Sequence, residues 1–355
     1  MMKSGKLAAL RLAESTGFSK LLYGSAWRQR RLLILCYHGV SKSDEHEWCN
    51  LYVSPDTFRG RMKCIAESGC NVLPLPEAIR RLEDGTLPPR AVALTFDDGF
   101  HDFYSLAFPI VESFGFPVTV YLTTYYMDYN RPVFDPMVSY LLWLGRNKQL
   151  LEWPEIFPGS ISLDEAGRQR ATSTIQNFAL KRKLSGREKD GVLSELASRL
   201  GLDYEELCRR RVMHLITAEE GRELAARGVN FEYHTHRHRL HARKERMFQE
   251  LEDNRSRILS ISEHEPHHFC YTGGYYLPEH PGVLKDYGIV SATTCEPGIC
   301  SQKTSPLLLP RLVDTPGLTE LEFRSWLTGT AALLPKRAYR MSEGQLAEDG
   351  ELAPA

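Results

Sequence analysis

The sequence predicts an α/β fold, specifically a distorted (β/α) barrel carrying a helical insertion. Three observations predict it. From Arg31 onward short apolar runs alternate with amphipathic segments, the signature of successive βα units. That rhythm stops after Thr124 and returns near Thr217, which marks residues 125–212 as a grafted helical block. The composition is that of a chain with a large core: 355 residues, 42% hydrophobic and 25% charged.

Each element has its own signal. Residues 32–36 form an apolar first strand, followed at once by Tyr37-His38-Gly39. Pro55 and Asp56 open a helix with Phe58, Met62 and Ile65 on one face, and Gly69 stops it. A short strand over 72–75 and a short helix over 76–82 follow. Ala91-Val92-Ala93-Leu94 is the next strand, and it runs into Thr95-Phe96-Asp97-Asp98-Gly99. A helix over 106–114 ends at Gly115, and 118–122 is a strand. The inserted block shows helical patterns over 137–144, 169–180 and 193–200, a charge-rich connector over 181–189, and no strand. Beyond it, Thr217 with Glu220 reads as a capping box, and residues 229–232 as a strand. A helix over 247–259 and strands at 268–271, 289–293 and 307–311 come next. A helix over 318–327 is the last element. The resulting organisation is a basic helical extension (1–31), a barrel (32–330) and a C-terminal tail (331–355), acidic and disordered by composition.

Charge and cysteine usage exclude several functions. With a net charge of -1 and a pI of about 6.9, the chain lacks the basic field that nucleic-acid binding requires. No stretch reaches 18 apolar residues, so none reads as a membrane span. The eight cysteines show no paired spacing, which fits a reducing compartment. With no signal-peptide pattern at the start, a cytoplasmic location is expected. Residues 1–31 set seven bases against one acid, Glu14, with leucines interleaved. Two readings fit: peripheral contact with an anionic membrane face, or an extra helix packed on the domain.

The chemistry lies in two distant stretches. Four residues of strand separate His234 from His238 by roughly 13 Å, at about 3.3 Å each. Two ring nitrogens that far apart do not share an ion at about 2.0–2.1 Å. The chain is therefore expected to leave its strand near Tyr233 and coil through a helical turn, which brings i and i+4 together. Two histidines and one carboxylate leave coordination positions open, the arrangement of a catalytic zinc site. Satisfied surface histidines are the alternative. Asp97 and Asp98 should point to opposite faces of a strand, but a turn at Gly99 can deliver both to one rim. Plain turn chemistry after a strand would also produce Asp-Asp-Gly.

Taken together, Thr-Phe-Asp-Asp-Gly and His-Thr-x-x-His at two strand ends resemble the polysaccharide deacetylase family, whose domain is the NodB-homology barrel. The resemblance implies that Asp97 is the general base, and that Asp98, His234 and His238 hold a divalent metal, with zinc expected. A further family motif, Arg-x-Pro-Tyr-Gly, stands here as Cys270-Tyr271-Thr272-Gly273-Gly274, without its arginine or proline. By resemblance a backbone N–H near Gly273 holds the oxyanion, and Thr235, Tyr271, Gly273 and Gly274 bind or orient substrate. Arg311 is the expected substitute for the arginine that orients the base; a surface salt bridge is the other reading. Tyr37-His38-Gly39 resembles the permuted placement in poly-N-acetylglucosamine deacetylases, which implies His38 as the general acid; a packing histidine under the rim is the other reading.

The implied activity is metal-dependent removal of acetyl groups from N-acetylated amino sugars of a polysaccharide or lipid-linked precursor, with a bell-shaped pH profile. Two other readings stay open: an amidase on a non-carbohydrate amide, and a catalytically silent glycan-binding or scaffolding protein.

Overall fold

The computed structural model describes residues 3–335, and its contacts divide the chain into two compact units, Met1–Tyr125 with Ala218–Ala355, and Tyr126–Thr217. Most of the expected tail, 336–355, lies outside the described residues. Residues 330–333 form a helical turn, Thr330–Leu333, where the tail was expected to begin.

The first unit is built on a parallel sheet. Its strands are β1 (Leu33–Tyr37), β2 (Asn71–Val72), β3 (Ala91–Asp98), β4 (Thr119–Leu122), β5 (Asn230–Tyr233), β6 (His268–Cys270), β7 (Ser291–Thr293) and β8 (Leu312–Val313). The order is β7-β6-β5-β4-β3-β1-β8, with β2 beside the first half of β3. Parallel strands need crossovers, and the helices that make them cover the sheet, so β1 and the first half of β3 are continuous apolar runs rather than alternating. β1 and the first seven residues of β3 are buried without a break.

The segment expected as the last strand, 307–311, does something different. Leu309 bridges to Thr293 of β7, and three residues later Leu312 pairs with Leu35 of β1. One run of chain thus links both ends of the sheet, and the barrel is distorted because neither pairing is long.

Helices follow their apolar faces. In Pro55–Glu67 the Ser54 hydroxyl accepts from Thr57 N–H and proline occupies the first turn, while Phe58, Met62 and Ile65 are buried. Phe58 meets Tyr37 and Phe96 edge-on, which fixes the helix against β1 and β3. The expected 106–114 helix is instead a π-helical turn, Phe103–Ala107, running into Phe108–Ser113. Pro109, near the start of that helix, lacks the N–H that a regular helical ladder would need. Residues 3–31 form the helices Lys3–Ser15, Phe18–Gly24 and Ala26–Gln29. They are fastened by Leu10, fully buried, and by Arg28, whose guanidinium donates to Leu327 O at 2.7 Å.

The second unit holds the helices Phe134–Leu144, Glu165–Lys181 and Gly186–Leu200. The expected connector over 181–189 shrinks to 182–185, because Ser185 and Glu188 close a capping box that starts the next helix at Gly186. The block is not free of strand, since Leu150–Leu151 pairs antiparallel with Ile161–Ser162.

Candidate active site

In a parallel barrel all carboxyl ends of strands share one rim, and four strands of the first unit deliver polar residues there. β3 ends in Asp97 and Asp98. Asp98 adopts φ 71° and Gly99 φ 83°, so the alternation of the strand is broken and both acids reach the rim. The left-handed region is costly for aspartate, and such residues cluster where function demands them. A Cβ on Gly99 would meet Leu122 Cδ1 at 2.2 Å, so β4 leaves room only for glycine.

The chain leaves β5 at Tyr233 as expected, but not through a helical turn. Residues 234–240 are irregular, with Thr235 at φ 62° and His238 at φ 56°. Two left-handed residues fold the run back, and the His234 and His238 rings come to 5.0 Å. Thr235 is fully buried and its hydroxyl accepts from Arg239 N–H at 3.0 Å. It closes the bend.

Asp98, His234 and His238 converge. His234 Nε2 lies 3.3 Å and His238 Nε2 3.2 Å from the same oxygen, Asp98 Oδ1. His234 Nδ1 lies 2.9 Å from the Cys270 carbonyl, which can only accept, so the proton of the neutral ring is on Nδ1. Nε2 then presents a lone pair to a carboxylate oxygen. Facing acceptors need a proton or a metal ion between them, and a carboxylate with two imidazoles is a donor set that suits a divalent ion. Burial alone would raise the Asp98 carboxyl, but His238 and His234 outweigh it and hold it well below its usual value. Burial would lower His234, yet Asp98 and Asp97 raise it overall.

Asp97 sits in a different environment. It is 1% exposed, and Arg311, fully buried, grips it with two bonds of 2.7 Å to Oδ1 and Oδ2. Arg311 is no surface ion pair. It stands one residue before β8, and its Nε donates to Thr294 O and its Nη1 to Thr95 Oγ1. Burial pushes the Asp97 carboxyl up, but the guanidinium charge and its fork of bonds prevail and keep it far below the usual range. His38, placed by β1, has Nε2 3.7 Å from Asp97 Oδ2. Burial lowers His38 below the ordinary histidine value, against the pull of Asp97 and Asp98.

Two thiols complete this end of the site. Cys36 and Cys270 lie 3.5 and 3.4 Å from Asp97 Oδ2. Burial raises both thiols well above their normal value, so they stay protonated and donate weakly. Either thiol could join a cation group that includes Asp97. With Asp97 in the guanidinium fork and both sulfurs protonated, Asp98, His234 and His238 remain the set with open lone pairs.

Tyr271 is buried and its hydroxyl donates to Leu307 O, so it packs the barrel rather than touching substrate. Gly273 and Gly274 have φ 61° and 73°, and a Cβ on Gly274 would stand 2.6 Å from that of Cys295. Gly274 N–H is already bonded to Tyr271 O, which leaves Gly273 as the amide to offer an anion.

Sequence reasoning missed the layer beneath. Asn254, fully buried on the helix Lys244–Leu259, accepts from His234 N–H and donates to Leu122 O and Thr124 Oγ1. Glu250, one turn earlier, accepts from Arg237 N–H at 2.8 Å. Nothing in a helical sequence marks these two as anchors. Cys36 was within reach, being two residues from His38 and therefore on the same side of the strand.

Fold and rim define a class: a (β/α) barrel with a carboxylate–dihistidine cluster, able to hold a cation, beside an arginine-clamped carboxylate. The family model for polysaccharide deacetylase matches residues 84–145 and 202–292, which hold the Asp97-Asp98 and His234–His238 stretches. YxkH of Bacillus subtilis, named as a candidate polysaccharide deacetylase, is 31% identical over 103 residues, 28% of this chain and 35% of its own. The poly-beta-1,6-N-acetyl-D-glucosamine N-deacetylase of Staphylococcus epidermidis is 28% identical over 109 residues, 28% of this chain and 38% of its own. The chain therefore spans little more than a third of the length of these curated relatives. The deacetylase PplD of Streptococcus pyogenes, solved with acetate, superposes with a TM-score of 0.55 at 18% identity. That alignment covers 86% of this chain and 99% of PplD, and shows a common NodB-type barrel.

Proposed function

We propose that the protein is a metal-dependent N-deacetylase acting on N-acetylated amino sugars of a poly-N-acetylglucosamine-type glycan. One observation carries the reading: Asp98, His234 and His238 meet at a single point beside Asp97, a carboxylate locked by Arg311. The glycan class rests on the names of the relatives.

A divalent ion held by Asp98, His234 and His238 would supply Lewis acidity toward a water and an acyl oxygen. The remaining chemistry belongs to the chain. Asp97 is ionised at every physiological pH. Arg311 occupies one acceptor site on each of its oxygens and aims the others, so Asp97 can take a proton from the attacking water. The N–H of Gly273 would support the oxyanion. His38 delivers a proton to the nitrogen as the C–N bond breaks, leaving acetate and a free amine.

The test is acetate release from N-acetylglucosamine oligomers, with and without chelator, beside Asp97→Asn. Expected are loss with chelator, recovery with added divalent metal, and a fall of about 10²–10⁴-fold in Asp97→Asn with metal content unchanged. Full turnover in Asp97→Asn, or in metal-free protein, would sink the proposal.

A further inference from the structure

Residues 3–31 pack on the barrel by one face only. On Lys3–Ser15 the side chains Ala8, Arg11, Leu12 and Ser15 recur at helical spacing and are exposed, while Leu10 is buried on the other side. Gly17, at φ 77°, turns the chain into Phe18–Gly24, whose outer face presents Phe18 and Leu21 three residues apart. The turn Thr330–Leu333 lies against these helices, with Thr330 Oγ1 bonded to Ser19 Oγ, and it adds Leu333.

The exposures are high for such side chains: Leu12 64%, Phe18 47%, Leu21 75% and Leu333 50%. A single exposed leucine is ordinary. Here, four of the nine large apolar side chains exposed among the described residues fall on one small group of helices. Concentration of that kind marks an interaction surface.

Charge selects the occupant. Arg11 and Lys20 stand exposed beside Leu12 and Leu21. Glu14, the sole acid of the segment, is taken by Arg324 at 3.0 Å. Arg28 and Arg31 are used internally, Arg28 on Leu327 O and Arg31 on the Trp27 ring. The outward face is therefore apolar with a positive fringe, the composition of a segment lying in a lipid interface. No helix among the described residues is long and apolar enough to cross a membrane.

We infer that the outer face of the N-terminal helices docks on an anionic lipid bilayer, with Leu12, Phe18 and Leu21 inserted and Arg11 and Lys20 at the headgroups. The inference does not depend on the deacetylase reading, and its test involves no turnover. The full chain is floated with vesicles of phosphatidylcholine and with vesicles of equal parts phosphatidylcholine and phosphatidylglycerol. Binding to the anionic vesicles is expected to be at least about tenfold stronger and to weaken with added salt. The variant Leu12→Ser/Phe18→Ser/Leu21→Ser should lose about tenfold or more of that binding. Arg11→Glu/Lys20→Glu should do the same while keeping the apolar face, and serves alone if the triple variant loses its native circular dichroism. Equal binding to both vesicle types, no binding to either, or binding indifferent to the charge variant overturns the inference. So does a dimer in light scattering that the triple variant disperses, since the face would then belong to a second copy.

Discussion

Arg311 and Asp97 form the charged pair on which the rim depends, and burying such a pair has consequences for stability as well as chemistry. In the unfolded chain an aspartate titrates near about 3.9. Folded Asp97 is more acidic, so its ionisation stabilises the fold above about pH 4. That contribution disappears as pH falls through the folded-state value. In Arg311→Met the guanidinium is gone and burial, opposed only by the weaker pull of His38 and His234, raises the carboxyl. The sign then reverses, and the variant should lose stability as pH rises past about 4. At neutral pH an uncompensated buried charge costs roughly 3–5 kcal/mol. Urea midpoints between pH 3 and 7 check both statements; parallel curves for wild type and variant would refute them. His38 makes a second residue-scale prediction. Because burial lowers it, the alkaline limb of the rate profile should lie below the ordinary histidine value of about 6.5. The acid limb should lie below the carboxylate range. His38→Gln should remove the alkaline limb from kcat, and a wild-type profile flat from pH 5 to 9 would dismiss His38 as proton donor.

At the scale of elements, the helix Lys244–Leu259 holds the histidine loop. Its buried stripe contains Met247, Leu251 and Ile258, yet also Glu250 and Asn254. A polar residue in such a stripe must have partners, and Asn254 spends its amide on the two strand ends that flank the site. Removing it should loosen His234 rather than the fold as a whole. Asn254→Ala is expected to lower divalent-metal affinity by about 10–100-fold, the usual effect of deleting a support behind a ligand. Isothermal titration of the metal-stripped variant measures this, and unchanged affinity would show that His234 is held by Cys270 O alone. The same helix shows where sequence reading stops. The first strand and the one before Asp97 and Asp98 were legible because they are continuous apolar runs, and His234 and His238 because two histidines stand four residues apart at a strand end. Arg311 was legible as a candidate, since a lone arginine after Leu309-Pro310 departs from its surroundings. Asn254 and Glu250 were not, because a polar residue in a helix reads as solvent-facing until its neighbours are known. The turn through Thr235 and His238 was misread for a related reason. Left-handed φ at non-glycine residues is unfavourable locally and is imposed by tertiary bonds such as His234 N–H to Asn254 and Arg237 N–H to Glu250.

For the whole molecule, the second unit, Tyr126–Thr217, poses the question of independence. Its three long helices bury complementary faces: Met137, Val138 and Leu141 on one, Ala171, Ile175 and Ala179 on the next, Leu193, Leu196 and Leu200 on the third. Small residues make the contacts close. A Cβ on Gly145 would meet Leu200 at 2.6 Å, and one on Gly167 would overlap the Ser162 carbonyl at 1.8 Å. The chain enters and leaves near one place, since Val133 N–H bonds Met213 O at 2.7 Å. A segment with its own core, its own capped helices and joined ends meets the conditions for a domain that folds alone. Residues 126–217 expressed as a fragment should therefore be helical and unfold in one cooperative step in urea, and Gly167→Val should abolish that step. A fragment that binds hydrophobic dye and melts without a transition would mean the helices take their order from the barrel.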